Sequence, residues 1–366
     1  MTETRVRVAL HAGQLLQPVP GGIGRYEIEV LRRLHQFGIE ALAFGAGDRP
    51  RGLPPRIPWI DLGAPHGSVR YELWHRLGRP RVHIDADVVH APSLAVPPVR
   101  GRPLIVTVHD VAFLRLPMTS TRHGVPFHTR GLRIARRHAD AVIVPSAFTA
   151  RELEAYGFEP DRVAVVPFGV DAPTPRDPDE IDRAVARAGV ERPYVLTVGT
   201  VEPRKDLATI VRAVERVRAS HPDLTLVVAG PEGWGDVKGI DRPFVRVVGA
   251  QPWFVLDALY RRADAFCLAS LYEGFGLPVL EALARGIPAV ATKGSAIDEV
   301  LGGAGAQFAP GDVATCAAEL ARVLDDSALR VERARAGVAR ASELTWDRCA
   351  EAHAEIYTEA AARATS

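Results

Sequence analysis

Cysteine is scarce in this chain: Cys267, Cys316 and Cys349 are three in 366 residues. An odd number at wide spacing excludes a disulfide framework and offers no zinc-ligand pattern. Cys267 falls inside the apolar run 265–269 and reads as a small core residue. Long apolar stretches are missing as well; none reaches the ~18–20 residues that a bilayer span requires. No run of basic residues approaches a nucleic-acid-binding tract, so no nucleic-acid partner is expected. The chain opens Met1-Thr2-Glu3-Thr4-Arg5, without the pattern of a secretory signal. These exclusions point to the cytoplasm, with peripheral contact at the inner face of a membrane allowed.

What is present is an ordinary globular composition, 47% hydrophobic and 24% charged. At 366 residues one core is too few, and two domains are expected. The net charge of +1 hides an asymmetry. Residues 1–171 carry 22 Lys+Arg against 16 Asp+Glu, and the remainder 23 against 28. Ten of the twelve histidines also lie in the first part. A mildly basic first half would suit an anionic acceptor or a membrane surface, but a solvated surface with scattered charge is the favoured reading.

Short apolar strands alternate with amphipathic helices along the whole chain. Strands are expected at 5–10, 40–44, 88–90, 104–109, 141–145 and 163–166, with helices such as 25–37 and 148–156 between them. Residues 171–180 hold three prolines and read as a linker. The alternation then restarts, with strands at 194–198, 224–229, 244–248, 265–268 and 289–291 and helices at 207–219, 254–263 and 278–285. Near-continuous apolar strands separated by helices imply parallel sheets covered on both faces. The expected architecture is α/β: two tandem Rossmann-like doubly wound domains, 1–172 and 173–345. Ligands of such sheets bind beyond the carboxyl ends of the strands, here in a cleft between domains. The last helix, 346–362, is amphipathic; it caps the second domain or crosses back to the first.

The most informative segment is Glu273-Gly274-Phe275-Gly276-Leu277-Pro278-Val279-Leu280-Glu281. Pro278 suits the first turn of a helix, and Gly286 its stop. The amides that open this helix form an anion cradle, because a helix N-terminus carries about half a positive charge. Glu273 sits in the preceding loop and Glu281 one turn inside the helix. A second segment, Gly199-Thr200-Val201-Glu202-Pro203-Arg204-Lys205-Asp206, follows the first strand of the second half. Arg204 and Lys205 suit a diphosphate, one as a bidentate fork and one as a point charge. A bare cation pair at a helix start is otherwise disfavoured.

In the first half, Gly21-Gly22-Ile23-Gly24 opens the first helix and allows close backbone approach to an anion, or makes a tight turn. A dinucleotide fingerprint needs glycine where Glu27 stands, so a redox nucleotide is not expected. His109, after an apolar strand, is placed to bond a sugar hydroxyl or exchange a proton, or to cap the strand end. Asp85-Ala86-Asp87 is a D-x-D triplet of the kind that holds a divalent metal. Its Ala86-Asp87 recurs as Ala139-Asp140 and Ala263-Asp264, which marks a helix-to-strand junction instead. No metal is expected.

Taken in order, Gly21–Tyr26, His109-Asp110, Val144-Pro145-Ser146, Val166–Asp171, Gly199 with Arg204-Lys205, and Ser270 to Glu281 resemble retaining glycosyltransferases of family 4, which have the GT-B fold. The resemblance covers nearly the whole chain and includes the family's E-x7-E signature. It implies a hexosyltransferase that needs no cofactor. Arg204 and Lys205 would bind the donor pyrophosphate. Glu273 and the amides of Phe275, Gly276 and Leu277, led in by Gly274, would hold donor sugar and phosphate, and Glu281 the ribose. Gly22, Gly24 and Gly199 would line the phosphates, Gly249 and Ala250 the nucleobase, and His109 the transferred sugar. The final segment, 346–366, would cross back to the first domain. His109 to Phe113 and Gly230 to Trp234 resemble a branch rich in GDP-mannose users, so GDP-mannose is the favoured donor, with UDP- and dTDP-sugars open. The acceptor would be a glycan, a lipid-linked sugar or a small molecule. A phosphorylase or a non-catalytic binder on the same scaffold is the alternative.

Overall fold

The computed structural model describes residues 5–235, 237 and 239–365. The chain divides into two compact units, one of residues 1–169 with 346–366 and one of 170–345. The first unit holds β1 (Arg7–His11), β2 (Glu40–Gly45), β3 (Trp59–Asp61), β4 (Val88–Ala91), β5 (Leu104–Thr107), β6 (Ala141–Val144) and β7 (Val163–Val165). They form one sheet in the order β3-β2-β1-β4-β5-β6-β7, with every pairing parallel. The second unit holds β8 (Tyr194–Val198), β9 (Thr225–Ala229), β10 (Val245–Gly249), β11 (Ala265–Leu268), β12 (Ala289–Thr292) and β13 (Ala306–Phe308). Their order is β10-β9-β8-β11-β12-β13, again parallel throughout. Two doubly wound sheets are the architecture that the alternation of strands and helices implies.

The central strands are apolar on both faces because helices cover both. Every residue of β4, β5, β11 and β12 is buried. The helix Leu207–Val217 shows the complementary pattern: Leu207, Ile210, Val211, Val214 and Val217 recur at helical spacing and are all buried. Cys267 and Cys316 lie in the same core, unbonded, with sulfurs 3.7 Å apart.

The recurring Ala-Asp junction has one physical cause at all three sites. Each aspartate clamps the neighbouring strand by accepting an amide with its side chain and donating its own N–H to that residue's carbonyl. Asp87 accepts from the Arg7 amide at 2.8 Å and returns a bond of 2.8 Å. Asp140 does the same with Leu104 at 2.7 and 2.8 Å, and Asp264 with Tyr194 at 2.9 and 3.0 Å. The clamps join β4 to β1, β6 to β5 and β11 to β8, and so start three parallel pairings in register.

Several boundaries differ from expectation. The first helix is Gly21–Arg33, so the glycines sit in its first turn, and residues 34–37 tighten into a 3-10 turn. The expected linker ends early: Pro178 begins the helix Pro178–Arg187, and the Asp177 side chain caps it by accepting the Asp179 amide at 3.0 Å. The edge strands β3 and β13 are three residues each, too short to leave a period in the sequence. The helix Trp346–Thr365 belongs to the first unit. Its Tyr357 hydroxyl meets His90 Nδ1 at 2.7 Å and its Trp346 ring stacks on Phe168 at 6.0 Å.

Candidate active site

In the second unit the strand order reverses between β8 and β11, which opens a crevice at their carboxyl ends. The loops that leave these two strands carry the charged residues singled out in the sequence. A reciprocal pair of bonds zips them: the Leu271 amide donates to the Arg204 carbonyl at 2.9 Å, and Arg204 Nη1 donates to the Tyr272 carbonyl at 2.9 Å. Arg204 and Lys205 sit in a 3-10 turn, Pro203–Lys205. Asp206 follows in a left-handed conformation (φ 42°) and accepts the Thr209 hydroxyl at 2.6 Å. That turn aims the two cations back across the crevice. Gly199 makes room for it, since a Cβ there would lie 3.1 Å from Lys205 Cε.

Four charges meet there. Lys205 Nζ donates to Glu273 Oε1 at 2.5 Å. Arg204 Nη1 approaches Glu273 Oε2 at 3.3 Å, and its Nη2 donates to Glu202 Oε1 at 2.6 Å. Glu202 is 1% exposed, and Lys205 and Glu273 are 8% each. Burial alone would push the Glu273 carboxyl up; the Lys205 and Arg204 charges outweigh it and hold the pKa down at about 2. The cluster is net neutral. The anion that a cation pair at a helix start demands is thus supplied by the chain itself, and the basic pair alone does not imply a bound phosphate. Glu202 is the residue the sequence analysis missed; it stands two positions before Arg204, in a segment read only for its cations.

The helix after Glu273 runs Leu277–Ala284, with Gly276 as its cap (φ 102°) and Pro278 in its first turn. Its first internal bonds go from the Val279 and Leu280 amides to the Gly276 carbonyl, at 2.9 and 3.3 Å. The loop that presents Gly274 and Phe275 is anchored by the Ala296 amide, which donates to the Glu273 carbonyl at 3.3 Å. Glu281, 4% exposed, accepts the Tyr260 hydroxyl at 2.8 Å from the helix Trp253–Arg262. Farther along the sheet, Gly249 ends β10 and its carbonyl accepts the Gly230 amide at 2.9 Å, while Ala250 is exposed. Glu202, Arg204, Lys205, Glu273, Phe275, Gly276, Leu277 and Glu281 therefore share one crevice edge, and Gly249 and Ala250 lie at the end of the outer strand.

In the first unit His109 lies two residues past β5. Its Nε2 bonds the Pro92 carbonyl at 2.7 Å, its ring meets Tyr26 edge-on at 5.2 Å, and burial lowers its pKa. A carbonyl only accepts, so Nε2 carries the proton and the neutral ring leaves Nδ1 as an acceptor. Gly24 is dictated by packing: a Cβ there would stand 2.2 Å from Pro20 Cβ. Gly22 meets nothing within 4 Å and opens outward.

Beneath His109 runs a second polar network that sequence reasoning did not find, because its members are scattered from residue 26 to 357. Tyr357 bonds His90 Nδ1 at 2.7 Å, His90 Nε2 bonds Thr107 at 2.8 Å, Thr107 bonds Tyr26 at 2.8 Å and Tyr26 bonds His353 Nε2 at 2.6 Å. The chain ends where His353 Nδ1 donates to the Cys349 carbonyl at 2.7 Å. That carbonyl sets the direction of every donor back to Tyr357, with both imidazoles neutral. Tyr26, His90, Thr107, His353 and Tyr357 are all fully buried.

The D-x-D carboxylates have structural work. Asp87 is in the β4–β1 clamp, and Asp85 pairs with Arg7 Nη1 at 2.8 Å. Among the described residues no group of three His, Cys, Asp or Glu is arranged to hold a metal ion. Among the same residues no helix is long and apolar enough to cross a membrane.

Family models match both units: residues 20–173 fit Glycosyltransferase Family 4 and residues 178–340 fit Glycosyl transferases group 1. The D-inositol 3-phosphate glycosyltransferase of Salinispora arenicola is 33% identical, over 97% of this chain and 91% of that protein. The chain belongs to glycosyltransferase family 4. The O-antigen chain mannosyltransferase B of Escherichia coli is 27% identical over 90% of this chain and 93% of its own. A crystal structure of Anabaena HepE in complex with UDP-glucose superposes with a TM-score of 0.75 at 18% identity, over 97% and 100% of the two chains, and shows the shared GT-B fold. The protein is a family 4 glycosyltransferase, and the Arg204–Glu273 cluster falls within the group 1 match, His109 and Gly24 within the family 4 match.

Proposed function

We propose that this glycosyltransferase moves a hexose, with retention and without a metal, from a nucleoside diphosphate sugar, GDP-mannose before others, to a glycan, lipid-linked or small-molecule acceptor. The observation that carries the reading is the buried Glu202–Arg204–Glu273–Lys205 cluster at the mouth of the Leu277–Ala284 helix. As the glycosyl–phosphate bond breaks, charge grows on the departing diphosphate. Cations already held by carboxylates need little reorganisation to meet it, and the helix end adds oriented amides. Glu281 and Tyr260 supply a hydrogen-bonding edge suited to ribose hydroxyls, and Gly249 with Ala250 an edge for the base. His109 Nδ1 accepts from a sugar hydroxyl and so positions the transferred group.

Retention through a covalent intermediate requires a carboxylate nucleophile near the anomeric carbon. Glu273 is poorly suited to that role, since Lys205 occupies one oxygen and Arg204 the other. This favours same-face substitution, in which the leaving phosphate takes the acceptor proton. Mannose is favoured by the similarity to the mannosyltransferase of Escherichia coli. A UDP-sugar donor is the second reading, favoured by the UDP-glucose complex of Anabaena HepE.

The deciding experiment is a thermal-stability screen with GDP, UDP and dTDP, followed by transfer assays with the matching sugar nucleotides and NMR of the product anomer. A ligand at 100 times its dissociation constant adds about 2.7 kcal/mol to stability. GDP stabilisation with mannosyl transfer in the α configuration is the expected result. Stabilisation by sugar phosphate alone, with none by any nucleotide, would replace the transferase reading with a phosphorylase.

A further inference from the structure

The first unit contains a second charged feature, at the opposite edge of its sheet from His109. A cavity of about 680 Å³ opens where β5 begins, at Leu104. Arg79, Arg81, Arg100 and Arg102 line it together with His75 and His138, and no carboxylate does. The two arginine pairs come from separate loops. One backbone bond, from the Val82 amide to the Pro98 carbonyl at 3.1 Å, holds those loops side by side, and Gly101 turns the second loop (φ 71°) between its two arginines. All four side chains are exposed, and among the described residues none has an ion-pair or hydrogen-bond partner.

Two ordinary causes for such a cluster fall short. Cations gather at helix C-termini, and two helices, Gly67–Leu77 and Gly124–His138, end at this cavity. Their ends contribute about −1 in all, at about −0.5 each, against four full positive charges. Neutralisation by nearby acids also fails. Asp140 is committed to the Leu104 amide, Glu72 bridges Arg76 and Arg130, and Asp85 is paired with Arg7. A net excess of positive charge is left in a concave site. At the amino edge of a parallel sheet no helix N-terminus is available to bind an anion, so a site there has to be built from side chains. Guanidinium forks match the tetrahedral oxygens of phosphate.

We propose that this cavity binds a phosphate-bearing anion through Arg79, Arg81, Arg100 and Arg102. The same chemistry fits free diphosphate and the phosphate head group of an amphiphile. Leu77 on the cavity rim, 67% exposed, gives the second source an apolar contact.

The test compares the parent with the fourfold variant R79Q/R81Q/R100Q/R102Q, and with R183Q/R187Q as a control at an exposed site in the second unit. Calorimetric titration with inorganic pyrophosphate at low ionic strength should show at least a tenfold weaker affinity, or the loss of one site, in the fourfold variant only. Pyrophosphate should also protect the four arginines from phenylglyoxal, mapped by peptide mass. A parallel arm measures co-sedimentation with vesicles of phosphatidylcholine containing phosphatidylglycerol. Vesicle binding that is lost in the fourfold variant, with no pyrophosphate effect, supports the proposal and assigns the phosphate to a lipid. Equal unfolding midpoints confirm that the variant is folded. Identical isotherms in parent and variant, with no protection and no difference on vesicles, overturn the proposal; pyrophosphate held elsewhere in the chain gives that same unchanged isotherm.

Discussion

The two units bury polar networks of opposite character. In the second unit four full charges, Glu202, Arg204, Lys205 and Glu273, neutralise one another at the carboxyl edge of the sheet. In the first unit five neutral groups, from Tyr357 through His90, Thr107 and Tyr26 to His353, pass hydrogen bonds along one direction. Burying ions is worthwhile only when each has a partner, and breaking such a pair costs far more than the pair gains. A neutral chain avoids that desolvation but depends on proton positions. On the proposed function the ionic cluster would meet charge that comes and goes; the neutral chain holds a helix to a sheet.

Acid separates the two most strongly. Among the described residues His11, His75, His90, His109, His128 and His353 all have lowered pKa values, chiefly through burial, and all lie in the first unit. The folded chain leaves them neutral while the unfolded chain protonates them near pH 6.5, so stability falls as pH falls below that value. A group moved from 6.5 to about 4, as His75 and His353 are, contributes about 3 kcal/mol across this window. The Glu273 carboxyl, at about 2, holds its contribution until pH drops below ~4.5 and loses it towards 2. Peptide-resolved hydrogen exchange at pH 4.5 should therefore find the first unit opened and the second protected. Equal protection would remove the contrast.

The next largest effect is on the rate. Glu273→Ala takes the carboxylate from Lys205 and leaves Arg204 with Glu202 as its acidic partner, and transfer should slow by about 10²–10³-fold. Glu273→Gln keeps the shape and tests the charge. Either variant turning over donor at the parent rate, with the fold intact, would show that the ionic cluster is structural.

Much of the ionic cluster in the second unit was legible in the sequence and almost none of the neutral chain in the first. Glu273, Arg204 and Lys205 lie in two short loops next to unmistakable apolar strands, so their place at a sheet edge followed from position alone. Glu202 was overlooked because a residue two positions from a cation reads as local surface charge. Pairing across 68 residues, as between Lys205 and Glu273, has no local signal. The Tyr26–His353 bond joins residues 327 apart, and no single-sequence pattern encodes it. The Ala-Asp junctions show the opposite case, where a local repeat carried a local cause.

A smaller effect tests the neutral chain. Tyr26→Phe removes one hydroxyl and leaves His353 Nε2 and Thr107 short of a partner in a dry interior. The expected loss is about 2 kcal/mol of unfolding free energy, measured by denaturant titration, with catalysis changed less than stability. A rate that falls as steeply as for Glu273→Ala would make the network part of the chemistry and erase its distinction from the ionic cluster.

The smallest effect belongs to Glu202→Gln. The amide keeps an oxygen to accept from Arg204 Nη2 but withdraws one negative charge, so the cluster turns from neutral to +1. Arg204 keeps its bond to the Tyr272 carbonyl, 2.9 Å away, and stays in place. Losing the charge-assisted part of one hydrogen bond is worth about 1 kcal/mol, or roughly fivefold in rate. The sign is the informative part. If Glu202 serves only to hold Arg204, transfer should slow by that factor while the donor's Michaelis constant changes little. If the cluster's neutrality restrains diphosphate binding, the extra positive charge should tighten nucleoside diphosphate affinity and slow product release. Titrating the variant with nucleoside diphosphate alongside steady-state transfer rates separates the two outcomes.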